Sequence, residues 1–110
     1  MISDIITAAG IPHRSGSSPA DLPVHTCVYV FDTVKLDGPD RVPQPSAFPC
    51  VALHTVRLEM YEPKEDDAAE AALEKQLLAN GLLFTKSDRE WLSAVQRYAV
   101  NYDLTYTTKI

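Results

Sequence analysis

The sequence predicts an α+β fold: a mainly antiparallel four-stranded sheet covered on one face by helices, in the order α-β-β-α-β-β. Three observations carry this. Val51 to Glu62 alternates apolar and polar residues with the period of a strand, and so does the stretch from Tyr98 to Tyr106. Between them, Asp66 to Asn80 is rich in Ala, Leu, Glu, Lys and Gln, the composition of a helix. With 110 residues, of which 45% are hydrophobic and 23% charged, the chain has room for a single domain, 1–110, around one core.

Met1 to Ala9 reads as a short helix, with Ser3 as its cap, Ile2, Ile5 and Ile6 on one side and Gly10 as its stop. His13 to Pro23 holds Gly16, Pro19 and several serines, and reads as a connecting loop. Val24 to Leu36 is β-branched and aromatic on both faces, which predicts a central strand. Asp37 to Asp40 then turns, and Pro43, Pro45 and Pro49 prevent regular pairing, giving an extended proline-rich loop at about 36–50. In the following strand His54, Val56, Leu58 and Met60 share one face, while Thr55, Arg57, Glu59 and Tyr61 share the other, wet one. The helix at 66–80 presents Ala69, Ala72, Leu73, Gln76 and Leu77 to the sheet, and Gly81 ends it. Leu82 to Thr85 is a short strand. The last strand is placed at about Leu92 to Thr108; Ser87-x-x-Glu90 with Trp91, Ala94, Val95 and Tyr98 offers a helical start as the alternative.

The residue types needed for catalysis are not grouped. His13, His25 and His54 have no metal-ligand spacing, and Gly10, Gly16, Gly38 and Gly81 are too scattered for a phosphate loop. His54 reads as a hydrogen-bonded residue at the edge of the core. Ser15, Ser17 and Ser18 lack a nucleophile elbow and an evident His/Asp partnership. Glu65, Asp66, Asp67 and Glu70 read as a solvated run that favours the helix dipole; a catalytic pair would need one buried acid with a raised pKa. Tyr98, Tyr102 and Tyr106 recur every four residues, on one face of a strand that alternates with period two, and read as core, not as a base-stacking platform. The net charge of −5 argues against specific nucleic-acid binding. No stretch approaches the roughly 20 apolar residues of a membrane span, and no secretory signal is evident. Cys27 and Cys50 read as free thiols, Cys27 as a small core residue. No metal or other cofactor is expected.

Several segments taken together resemble a known group. They are Ala8-Ala9-Gly10-Ile11-Pro12 after a short helix, Leu22-Pro23 before the Tyr29-containing strand, and His54-Thr55-Val56-Arg57-Leu58-Glu59-Met60-Tyr61 followed by an acidic helix. Leu82-Leu83-Phe84 and the closing strand Tyr102-Asp103-Leu104-Thr105-Tyr106 complete the set. This order is similar to that of the tail terminator and head-tail completion proteins of long-tailed bacteriophages, with Arg-Leu-Glu-Met-Tyr before a charged helix as the most recognisable piece. The resemblance implies a minor structural protein of the virion tail or neck, assembled in the host cytoplasm. It implies a ring, commonly a hexamer, that caps the head-proximal end of the tail tube, contacts the tail tube protein and docks to the head connector or head-closure protein. DNA would pass through that ring. It implies no enzyme activity. The alternatives are a head-closure or adaptor protein of the neck, and a small cytoplasmic ligand-binding or regulatory module.

The expected interface residues are Val42 and Phe48 on the proline-rich loop and Arg57 and Glu59 on the wet strand face. The prolines stiffen that loop, so it can bridge to a neighbour at a lower ordering cost than a glycine-rich one. Deleting Val42 to Phe48 should leave a folded monomer and abolish ring formation or head-tail joining. Light scattering on the purified protein and counts of infectious particles read this directly, and normal particles made without the loop would refute it.

Overall fold

A computed structural model describes residues 1–15, 23–37 and 51–109, so the loop bearing Val42 and Phe48, and Cys50, lie outside the described residues. The elements are α1 (Ile2–Ala8), β1 (His13–Ser15), β2 (Cys27–Asp37), β3 (Val51–Glu62), α2 (Asp67–Ala79), β4 (Phe84–Lys86), β5 (Glu90–Leu92) and β6 (Arg97–Lys109). They form an α+β fold whose sheet runs β1-β2-β3-β6-β4, with β5 also pairing to β6. β1 lies parallel to β2, and every other pair is antiparallel.

The expected four-stranded antiparallel sheet is therefore a mixed, six-stranded one. Both additional strands, β1 and β5, have only three residues, too few for an alternating pattern to register. β1 falls in the segment read as a loop, and is pinned where Val28 N–H donates to the Pro12 carbonyl at 2.9 Å. The strand expected from Leu92 onward is a hairpin: β5 ends at Leu92, the chain turns with Gln96 at φ 54°, and β6 starts at Arg97. Ser87 is no helix cap. Its N–H donates to the Asn101 carbonyl, and its Oγ accepts from Asn101 N–H, both at 2.9 Å.

The core lies on one side of the sheet. Val28, Val56, Leu58, Met60, Val100, Tyr102 and Leu104 face Ile2, Ile5 and Ile6 of α1 and Leu73 and Leu77 of α2. Of the three tyrosines expected in the core, Tyr102 is fully buried and Tyr106 packs at the margin, whereas half-buried Tyr98 lies outside it and packs edge to face on Trp91 at 4.9 Å.

Both helices end in the same way. Gly10 and Gly81 take φ of +76° and +72°, and the next residue donates backward: Ile11 to the Ile6 carbonyl and Leu82 to the Leu77 carbonyl. Buried Ile11 and Leu82 then join the core, completing the apolar contact of this helix ending. At the other end of α2, Asp66 is the cap, accepting from Ala69 N–H at 3.0 Å. Ser3 does not cap α1; its Oγ sits 2.9 Å from His13 Nε2.

β2, β3 and β6 contain 11, 12 and 13 residues. At about 3.3 Å per residue they span ~36–43 Å, against ~20 Å for the 13 residues of α2. The helices consequently cover only part of the sheet, and the far end, with Val34 51% and Leu53 36% exposed, projects beyond them. Among the described residues, no helix is long and apolar enough to cross a membrane.

Leu73 is fully buried between helix and sheet. Leu73→Ala should destabilise the protein by about 2–5 kcal/mol. Chemical denaturation checks this; a loss below ~1 kcal/mol would mean that the α2 face carries little of the core.

Candidate functional site

The acidic segment is solvated only in part: Glu65 and Asp67 are exposed, as expected, and Glu70 is not. β3 ends in Glu62, which is fully buried, and α2 contributes Glu70, 4% exposed. Arg89, on the link between β4 and β5, reaches across both. Its Nε lies 3.3 Å from Glu62 Oε1, Nη2 donates to Glu70 Oε2 at 2.6 Å and to Asp67, and Nη1 donates to Glu65 Oε2 at 2.8 Å. Lys86 continues the chain, 2.8 Å from Glu70 Oε1 and 2.9 Å from Glu74 Oε2, and the Tyr102 hydroxyl donates to Glu74 Oε2 at 2.8 Å. The cluster clasps α2 to β3, β6 and the β4–β5 link.

Glu62 Oε1 accepts from Asp66 N–H at 3.2 Å, whereas its Oε2 is buried and finds no donor among the described groups while both carboxyls are ionised. One proton shared between Glu62 and Glu70 removes that deficit. Burial, followed by the hydrogen bond with Glu70, pushes Glu62 up to about 8. Burial also opposes ionisation of Glu70, yet hydrogen bonds from Glu62, Lys86 and Arg89 outweigh it and hold Glu70 below its usual range. The buried acid of raised pKa that the sequence did not reveal is therefore present. A signal existed: Glu62 continues the parity of Leu58 and Met60 onto the core face.

The second constellation is the sheet face away from the helices, where the ladder registers arrange side chains in rows. Cys27, Tyr61 and Ala99 form the first row, then Tyr29, Glu59 and Asn101, then Phe31, Arg57 and Asp103, then Thr33, Thr55 and Thr105. The first end is apolar: Cys27, Tyr29 and Tyr61 are buried, the two tyrosines meeting edge to face at 5.7 Å. Cys27 is thus a small core residue, as expected, but in a second cluster, so the wet face is only partly wet. Burial raises its thiol above the ordinary range. The expected pair lies in the middle of this face. Arg57 is exposed, with Nε donating to Asp103 Oδ1 at 3.0 Å, and half-buried Glu59 accepts from the Tyr61 hydroxyl at 2.7 Å.

At the projecting end, on the helix side, His54 ties three strands together. Nδ1 is 3.2 Å from Asp32 Oδ2 on β2, Nε2 is 3.2 Å from Thr108 Oγ1 on β6, and the ring stacks on Tyr106 at 4.4 Å. The hydrogen-bonded core-edge role is the one expected. The Asp32 partnership could not be read from sequence because it depends on the register, which sets Val34 opposite His54 and leaves Asp32 diagonal to it.

The described surface carries grooves of about 360, 680 and 580 Å³, and neither Glu62 nor Glu70 lines any of them. A carboxyl pair with separated affinities has the chemistry of a general acid; here both carboxyls are buried, and Arg89, which holds them, lines the 580 Å³ groove. Among the described residues, no group of three His, Cys, Asp or Glu side chains is arranged to hold a metal. No protein-family model matches the chain, and a search of curated proteins finds no match.

The Glu62 pKa sets a pH window. Its folded value, about 8, lies above its ordinary 4.5, so the folded state holds the proton more tightly over that interval. The stability this group contributes is full below about 4.5 and is lost as pH rises toward 8. Glu62→Gln keeps a neutral donor facing Glu70, so the stability difference between variant and parent should shift in the variant's favour from pH 5 to about 8. Thermal midpoints of both proteins across that range test it; parallel curves would place no proton between the two carboxyls.

Proposed function

We propose that this chain is a virion structural protein of a long-tailed bacteriophage, a tail terminator. In this reading it forms a ring, of six copies by analogy with the group it resembles, at the head-proximal end of the tail tube and docks to the head connector. The observation that carries the reading is the one-sided layering. Helices cover one face of the sheet, while the opposite face presents ordered rows with the Arg57–Asp103 ion pair and Glu59 at their centre, and the strand ends project beyond the helices. A face of this kind suits contacts with other proteins better than it suits a reaction. The buried acid cluster supports a structural role, since it fastens α2 to the sheet and neither of its two buried carboxyls lines a described groove. At −5 per chain, the ring would repel passing DNA and not retain it. A head-closure or adaptor role at the neck would use the same features.

One observation favours a small ligand-binding module as the second reading. The 680 Å³ groove beside α1 combines Asp32, His54 and Tyr106 with apolar Val30 and Phe31. A stable monomer that retains a small molecule through gel filtration would support that reading.

Neutralising the central pair separates a surface role from a structural one. Arg57→Gln with Glu59→Gln should leave the thermal midpoint nearly unchanged, because the exposed Arg57–Asp103 pair adds little to stability and the amide at position 59 keeps an acceptor for the Tyr61 hydroxyl. The same variant should reduce assembly onto purified tail tubes, followed by sedimentation. A large fall in midpoint with intact assembly would refute the role of this face.

A further inference from the structure

The projecting end carries a second surface, the two edges of its sheet. β1 covers the outer side of β2 only at Val28 to Val30, and β4 and β5 cover the outer side of β6 only as far as Leu104. Among the described residues, no strand pairs with the outer side of β2 from Phe31 to Asp37 or of β6 from Thr105 to Lys109. The direction of the backbone groups there follows from two contacts. Val28 N–H donates outward to Pro12, so even-numbered residues of β2 aim their N–H and C=O groups away from β3. The Asn101 carbonyl accepts outward from Ser87 and its N–H donates outward to Ser87 Oγ, so odd-numbered residues of β6 do the same. The outward groups are those of Asp32, Val34 and Leu36 on one edge and Thr105, Thr107 and Lys109 on the other.

The two edges fit each other. β2 and β6 are both antiparallel to β3 and hence run in the same direction. Val34, His54 and Tyr106 lie level across the three strands. If a second copy is set beside the first, Val34 of one falls opposite Tyr106 of the other, with the outward groups of Thr105 and Thr107 flanking it. Parallel pairing requires this interleaving. Side-chain faces also agree, because even-numbered residues on both strands face the helix side. Half-exposed Val34 would come beside Tyr106, and Thr33 beside Thr105.

We propose that the edge of β2 at residues 31–37 pairs, in parallel, with the edge of β6 at residues 105–109 of a second copy of this chain. The contact joins two different patches and is therefore heterologous, so repetition gives a closed ring or an open filament. The inference rests on the reading of the chain as self-assembling, and names the strands that do it.

A cysteine pair tests the contact in the full-length chain. Thr33 and Thr105 of one chain are two strand spacings apart, about 10 Å, too far for a disulfide within the chain. In neighbouring copies they would be one spacing apart. The Thr33→Cys/Thr105→Cys variant, with Cys50→Ser so that Cys27, which is buried, is the one native thiol left, should give chain-to-chain disulfides under mild oxidation, and Thr33→Cys/Thr107→Cys reports the same contact shifted by two residues. In a second experiment, Val34→Pro and Thr107→Pro each remove one outward N–H that the chain's own ladder does not use. Each should leave a folded protein by circular dichroism and weaken association by roughly tenfold in light scattering. Cross-linking together with weaker association of the proline variants supports the pairing. Oligomers in light scattering that form no cross-link in either register would overturn it and leave self-assembly standing, whereas a chain that stays single at millimolar concentration and on tail tubes would overturn both.

Discussion

The burial of Glu62 against Glu70 is the constraint around which half of the molecule is built. A carboxyl at the end of a central strand, with no access to water, must share a proton, meet a cation, or do both. Here it does both, and each partner comes from a different element: Glu70 from α2 and Arg89 from the β4–β5 link. The orientation of α2 therefore follows from more than its leucines. Leu73 and Leu77 would tolerate a small rotation on an apolar sheet, but a guanidinium shared among Glu62, Glu65, Asp67 and Glu70 fixes the helix around its axis. The same contact explains why β4 and β5, each only three residues long, stay on β6. Arg89 and Lys86 anchor the link between them to α2.

The opposite half is organised by strand number. β2, β3 and β6 continue as three antiparallel strands after the helices and the short strands have ended. In an antiparallel ribbon with an odd number of strands the two outer edges run the same way and their outward groups interleave, whatever the sequence. What the sequence adds is the interior tie: His54 on the middle strand holds Asp32 on one side and Thr108 on the other, with its ring on Tyr106. That tie stiffens a region at the margin of the helical layer, beside the start of α1.

Much of the clamped half was legible from sequence. The alternation of Val56, Leu58 and Met60, the helical spacing of Leu73 and Leu77, and the glycines at 10 and 81 are local patterns, each tied to one backbone geometry. What could not be read depends on register or on elements too short to have a period. β1 exists because Pro12 offers a carbonyl to Val28, and β5 because the chain folds back after Leu92. The clasp was missed for a related reason. Glu62, Glu65, Asp67 and Glu70 look alike in composition, and only the strand parity of Glu62, together with the distant Arg89, separates buried Glu62 and Glu70 from solvated Glu65 and Asp67. Arg57 and Glu59, in contrast, fall on the face expected for them, since parity alone decides that position.

The charge distribution along the projecting edge bears on how such a surface limits uncontrolled pairing. A long, flat, apolar edge strand invites uncontrolled pairing, and natural sheets commonly blunt theirs with charges. The β2 edge carries Asp32 and Lys35 on opposite faces, with exposed Val34 between them. Asp32 is committed to His54 and so is held on the helix side of its own chain, leaving the outward backbone groups accessible. An incoming strand of another sequence would have to bury those groups beside a charge on each face. In the proposed pairing a second copy would set Thr105, Tyr106 and Thr107 there, residues that take hydrogen bonds or stacking without adding a like charge. The edge thus disfavours arbitrary partners more than its own complement, and the same three-strand ribbon that lacks a covering layer gains selectivity from the few side chains it displays.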